Sequence, residues 1–160
     1  MTDNQTDIKK DYVSVLNNLI ETCKDGEEGF RQAAEGAQSA DLKETFRQYA
    51  RQRAEFAAEL QTEVGKMGAQ PEQSGTVGGS LHRGWMNIKT TVTGKDDQAI
   101  LNEAERGEDA AVKAYKDALT KNLSTELQSE VNRQYRQVQE AHDRVRALRD
   151  SKNQPVGSRR

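Results

Sequence analysis

Apolar residues recur at steps of three and four along most of this chain, and that period admits little except long amphipathic helices packed side by side. The stretch Ile100 to Leu119, ILNEAERGEDAAVKAYKDAL, shows it best: Leu101, Ala104, Ala111, Tyr115 and Ala118 mark one face. Glu108 stands at the centre of that face, where an apolar residue is due. A carboxylate there is costly to bury without a partner. The first stripe, Val13, Leu16, Ile20, Cys23, Phe30, Ala34 and Ala37, carries Glu27 at the same kind of step. The second, Leu42, Phe46, Tyr49, Phe56, Leu60, Val64 and Met67, carries Arg53, and the last, Leu127, Val131, Tyr135, Val138, Val145 and Leu148, carries His142.

These stripes predict helices over about residues 7–37, 41–67, 97–119 and 124–150. The capping signals expected are Asp41 with Glu44 as a capping box, the pair Asp96 and Asp97, and Ser124 with Glu126. Gly68 is the expected stop of the second helix. Between the two hairpins, Val77, Leu81, Trp85, Ile88 and Val92 recur at helical steps, despite Gly78, Gly79 and Gly84. A fifth, shorter helix is therefore expected over 76–93, with Trp85 as its anchor and His82 on the surface. It spans ~27 Å at 1.5 Å per residue, enough to carry the chain back along the bundle. The fold class expected is all-α: a four-helix bundle with one long crossover, the topology of ferritin-like folds. Residues 7–151 form the domain, and 1–6 and 152–160 are expected to be disordered tails.

The length of 160 residues suits one domain with a real core. A net charge of −2 argues against nucleic acid as a partner, with the Arg144, Arg146, Arg149, Arg159 and Arg160 end a weak exception balanced by Asp143 and Asp150. The opening MTDNQTDIKK has no apolar segment, so no signal peptide is expected, and no apolar run approaches the ~20 residues that cross a bilayer. A single Cys23, on the first stripe, fits a reducing cytoplasm and an inert buried thiol. Nucleophile motifs, phosphate-binding loops and dinucleotide fingerprints are absent from the sequence. A non-enzymatic reading follows.

The two hairpins look like a diverged repeat. KDGEEGFRQAAEGA aligns without gaps to ERGEDAAVKAYKDA, matching Gly26 to Gly107 and Glu27 to Glu108. Counting from the turns puts Glu27 and Arg53 at one level. Glu27 and Glu108 are thus expected to face each other at mid-height with Arg53 between them, as a buried salt-bridge layer. The alternative is a metal site for iron or another divalent ion. Di-iron bundles use one Glu from each of two helices and Glu-x-x-His from each of the others. Glu27 and Glu108 could serve as the single ligands, and Glu108 to Tyr115 reproduces a Glu-x6-Tyr spacing. The pairs are damaged: Gln139-x-x-His142 lacks its Glu and Glu55-x-x-Ala58 its His. The ligand set would be Glu27, Glu55, Glu108 and His142, with Arg53 opposing it.

LNNLIETCKDGEEGFRQAAE, GTVGGSLHRGW, ERGEDAAVKAYKDAL and the ending AHDRVRALRD together resemble an uncharacterised bacterial family of ferritin-like four-helix-bundle proteins, a family of unknown function. The resemblance covers about residues 10 to 150. It implies the fold and carries no activity, cofactor or catalytic residue. A structural or stress-associated binding bundle, compatible with a homo-oligomer, is the reading that results.

Overall fold

The structure, a computed structural model, describes residues 2–73 and 96–153, with side chains over 7–73 and 96–151. It contains the four long helices α1 (Thr2–Gly36), α2 (Ala40–Lys66), α3 (Asp97–Leu119) and α4 (Thr125–Asn153), and among the described residues no strand. The expected helix over 76–93, with Trp85 and His82, lies outside the described residues. α1 begins at Thr2 where Asp7 was expected, and α4 runs to Asn153 where Asp150 was expected. No Gly or Pro interrupts either extension. A helix already nucleated gains one bond for each residue it adds.

The caps differ from expectation at one end. Ser39, not Asp41, caps α2, its hydroxyl accepting from the Leu42 N–H at 3.3 Å. The serine stands three residues before a donor that the helix leaves unpaired, the geometry an N-cap requires. Asp96 caps α3 and Ser124 caps α4 in the same way, accepting from Gln98 and Leu127. Gly68 follows the end of α2 with φ of +76°, a conformation that side-chain-bearing residues rarely take. Lys43 Nζ donates to the carbonyls of Ala34 and Glu35, satisfying the free end of α1.

Two contacts fix the topology. In the α1–α2 turn, the N–H groups of Gln38 and Ser39 donate to the two carboxylate oxygens of Asp97 at 2.7 and 3.1 Å. At the opposite end, Tyr12 Oη donates to the carbonyl of Asn122 in the α3–α4 turn at 3.3 Å. The C-terminus of α2, at Lys66 and Met67, lines a shallow groove with Tyr12 and Ser124 at that second end. α2 and α3 therefore run parallel, with the end of α2 and the start of α3 at opposite ends of the bundle. That is a bundle with one long crossover. The pairs α1/α2, α3/α4 and α1/α3 pack closely, while α2 and α4 touch only sparingly.

The apolar core is in two parts. One, towards the α1–α2 turn, gathers Phe30, Phe46, Ile100, Leu101 and Val145. The other, towards the α3–α4 turn, gathers Leu16, Leu19, Phe56, Leu60, Val131 and Val138. Between them lies the polar layer. Burial of both parts supplies the main stabilisation, at roughly 1.5–3 kcal/mol for each large apolar side chain.

Candidate functional site

The layer begins with Arg53. Its place on the α2 stripe, between Phe46 and Phe56, forces the guanidinium inward, where Arg53 is 1% exposed. Opposite it on α3 is Glu108, at 0%. The two meet as a fork, Nη1 donating to Oε1 and Nη2 to Oε2, each at 2.6 Å. Nε donates to Gln52 Oε1 at 3.2 Å, so all three guanidinium nitrogens are engaged. The guanidinium carbon also lies 5.3 Å from the centre of the Phe30 ring, on α1. Burial alone would lower the Arg53 pKa, but the charge and hydrogen bonds of Glu108 outweigh it and hold Arg53 above its ordinary value. The pair is thus complete within itself, as a buried ion pair must be.

Gly26 explains how so large a side chain fits. A Cβ on Gly26 would lie 3.3 Å from Arg53 Nη1 and 3.5 Å from its Cγ. The glycine is the floor on which Arg53 rests. Gly26, not Glu27, fills the open step of the α1 stripe.

A second polar chain runs from this layer to the surface. Tyr115 Oη donates to Gln134 Oε1 at 2.7 Å. Gln134 Nε2 faces the carboxylates of Glu59 (3.0 Å) and Glu130 (3.4 Å), which fixes the amide's orientation. With its own hydrogen so directed, the phenol oxygen receives the Cys23 thiol at 3.1 Å. Arg133 closes the outer end on Glu59 and Glu130. Burial pushes the Cys23 thiol up to about 11, with the Tyr115 hydrogen bond a partial offset. Burial first, then Cys23, raises Tyr115 well above its ordinary value. Both groups are neutral and structural at physiological pH. Tyr115, at the spacing that suggested a metal-site tyrosine, is committed to Cys23 and Gln134.

The sequence-derived residues part company here. Arg53 and Glu108 meet. Glu27 does not join them: it is half-buried on the flank of α1, 3.6 Å from Lys24. Glu55 is exposed on α2. His142 is buried on α4, but its Nε2 lies 2.6 Å from Asp109 Oδ1 and its Nδ1 3.2 Å from Asp143 Oδ1. Glu27, Glu55, Glu108 and His142 are therefore not brought together in one cluster. Among the described residues, the group whose ligand atoms do converge, all within 4.8 Å, is Glu105, Asp109 and His142. Glu105 and Asp109 are one helical turn apart, a spacing present in the sequence but shared by many solvated helix faces. Gln134 was also missed, though 131 + 3 and 138 − 4 both point to it. The basic end of α4 is balanced by nearby acids: Arg146 and Arg149 contact Glu105 of α3, and Arg149 also holds Asp150. Arg159 and Arg160 lie outside the described residues.

Residues 11–122 match the model of the family described as Domain of unknown function (DUF2383). The chain belongs to this family. Among solved structures, a Dps1 mutant of Mycobacterium smegmatis is similar to this DUF2383 protein with a TM-score of 0.74, over 89% of this chain and 97% of that one, at 15% identity. At that identity the likeness speaks for the fold, a ferritin-like helical bundle. No match arises among curated proteins. Di-metal carboxylate sites of such bundles need carboxylates and imidazoles converging at the core from four helices. The centre of this DUF2383 bundle does not fit that requirement, because the Arg53 guanidinium fills it and takes both oxygens of Glu108.

Proposed function

We propose that this protein is a non-enzymatic helical bundle, a binding or structural element in which an internal ion pair replaces the metal centre of a ferritin-like core. One observation carries the reading: Arg53 and Glu108 are fully buried and paired fork to fork, with Gly26 making room. A cation placed between them would meet a guanidinium that cannot lose its charge at any physiological pH. The rest of the layer is closed in the same manner, since the Cys23 thiol and Tyr115 phenol hydrogen-bond each other and Tyr115 donates to Gln134. The single buried cysteine suits a cytoplasmic setting, and no described helix is long and apolar enough to cross a membrane.

Ferrous iron oxidation tests the proposal. Ferrous iron mixed in air with the purified chain, followed by absorbance, should show no oxidation that depends on Glu108. Catalysed oxidation that disappears in a Glu108→Gln variant, shown to be folded by circular dichroism, would overturn the reading.

A further inference from the structure

We propose that Glu105, Asp109 and His142 form a binding site for one first-row divalent transition-metal cation on the α3–α4 seam, apart from the bundle centre. Glu105 and Asp109 project from successive turns of α3, and His142 comes from the facing helix, so two packed helices hold the three ligands in advance of binding. The imidazole supplies the decisive observation. Both of its nitrogens face carboxylate oxygens, Nδ1 towards Asp143 at 3.2 Å and Nε2 towards Asp109 at 2.6 Å. A neutral imidazole has one N–H to give. With that hydrogen on Nδ1 and directed at Asp143, itself steadied by Gln139 at 3.2 Å, the Nε2 lone pair faces Asp109, and a metal cation can take the place that a second proton would otherwise hold between them. A carboxylate behind a histidine whose other nitrogen binds metal is the usual outer support of metal-ligating imidazoles.

Glu105 points the same way. It is 6% exposed, and its carboxylate is held in place by the arginines of α4. Arg149 lies against its Oε2 in ion-pair contact, and Arg146 is 3.6 Å from its Oε1. The arginines currently balance the charge. Arg149 can release Glu105 without being orphaned, since its Nη2 and Nε already donate to Asp150 at 2.8 and 3.1 Å. Asp109, more than half exposed, can swing the short distance that coordination needs and leaves the outer positions to water. One imidazole nitrogen with two carboxylates favours zinc, cobalt, manganese or ferrous ions over calcium or magnesium, which prefer all-oxygen shells.

The test uses the whole chain, stripped with a chelator and titrated at neutral pH with cobalt(II), read by its visible d–d absorption, and with zinc(II), read by calorimetry. One ion per chain is expected. Asp109→Asn, on a side chain more than half exposed, should weaken binding at least tenfold, and His142→Ala should abolish it. Asp143→Asn should weaken it by about 10–100-fold, the range for lost outer-sphere support. Arg149→Gln should tighten it several-fold by removing the competing cation. Glu55→Gln should change nothing. Absence of saturable binding at millimolar metal in both the parent and Arg149→Gln overturns the proposal, as does binding indifferent to Asp109→Asn. Either failure leaves the Arg53–Glu108 reading standing, because the two rest on different residues.

Discussion

Replacing Arg53 by Met is the sharpest perturbation of this bundle. Methionine keeps an unbranched apolar stem over Gly26 and beside Phe30, so little packing is lost, but Glu108 is left as an unpaired carboxylate at 0% exposure. Removing one partner of a buried ion pair destabilises by about 3–5 kcal/mol, and the lost contact with the Phe30 ring adds about 0.5–2 kcal/mol. Against a total stability of roughly 5–15 kcal/mol, that is about a quarter or more of what holds the domain together. With a slope near 2 kcal/mol per molar urea, the unfolding midpoint should fall by about 1.8–3.5 M. Glu108→Leu alone should be comparably harmful, since it strands a guanidinium with only Gln52 and a ring face. The double variant should recover most of the loss, ending within ~1 kcal/mol of the parent or above it, because neither buried charge then remains. Urea melts of the four proteins, followed by circular dichroism, give the coupling directly. If the double loss equals the sum of the single losses within ~0.5 kcal/mol, the layer is held by packing rather than charge, and the reasoning fails.

Two further outcomes follow from the same layer. The Cys23 thiol, raised from 9.0 to about 11, keeps its proton in the native state while the unfolded chain loses it. Stability should therefore be intact below about pH 9 and fall as pH rises towards 11, by the order of 2–3 kcal/mol; urea melts at about pH 8 and 10.5 should show a larger loss for the parent than for Cys23→Ala, and equal losses would exclude Cys23 as a source. Gly26→Ala should fail to gain the roughly 1 kcal/mol that alanine brings to a helix interior, because the new methyl presses on a guanidinium pinned by Glu108; in the Arg53→Met, Glu108→Leu background the gain should appear, and its absence there would free Gly26 of any tie to Arg53.

The four long helices were legible because amphipathic periodicity repeats over many turns, and the crossover because two hairpins of that length leave a middle segment too long for a turn. Cys23, at 1% exposure, lies on its stripe as expected. The Arg53–Glu108 pair was legible as two polar interruptions in otherwise apolar faces. His142 announced itself in the same way, but its partners did not. Asp109 is exposed and Glu105 sits beside the α3 face rather than at its centre, so neither interrupts a stripe. A site at the seam of two helices leaves a fainter trace in the sequence than one at the core.

The failure at Glu27 has a physical cause that the repeat itself conceals. Gly26 and Glu27 correspond to Gly107 and Glu108, yet only the second carboxylate reaches the core. One guanidinium satisfies one carboxylate, and it does so with both nitrogens on both oxygens of Glu108. A second carboxylate brought into the same layer would be a buried charge without a counter-ion, which costs several kcal/mol. Neighbouring residues on a helix differ by about 100° in direction, so α1 can offer either Gly26 or Glu27 to the centre but not both. Offering Gly26 leaves the space that Arg53 needs and sends Glu27 to the flank beside Lys24. A glycine registers as no signal in an apolar stripe, since it is neither apolar nor charged in the count. The position that reads as a gap is therefore occupied, from across the bundle, by the largest fully buried side chain among the described residues.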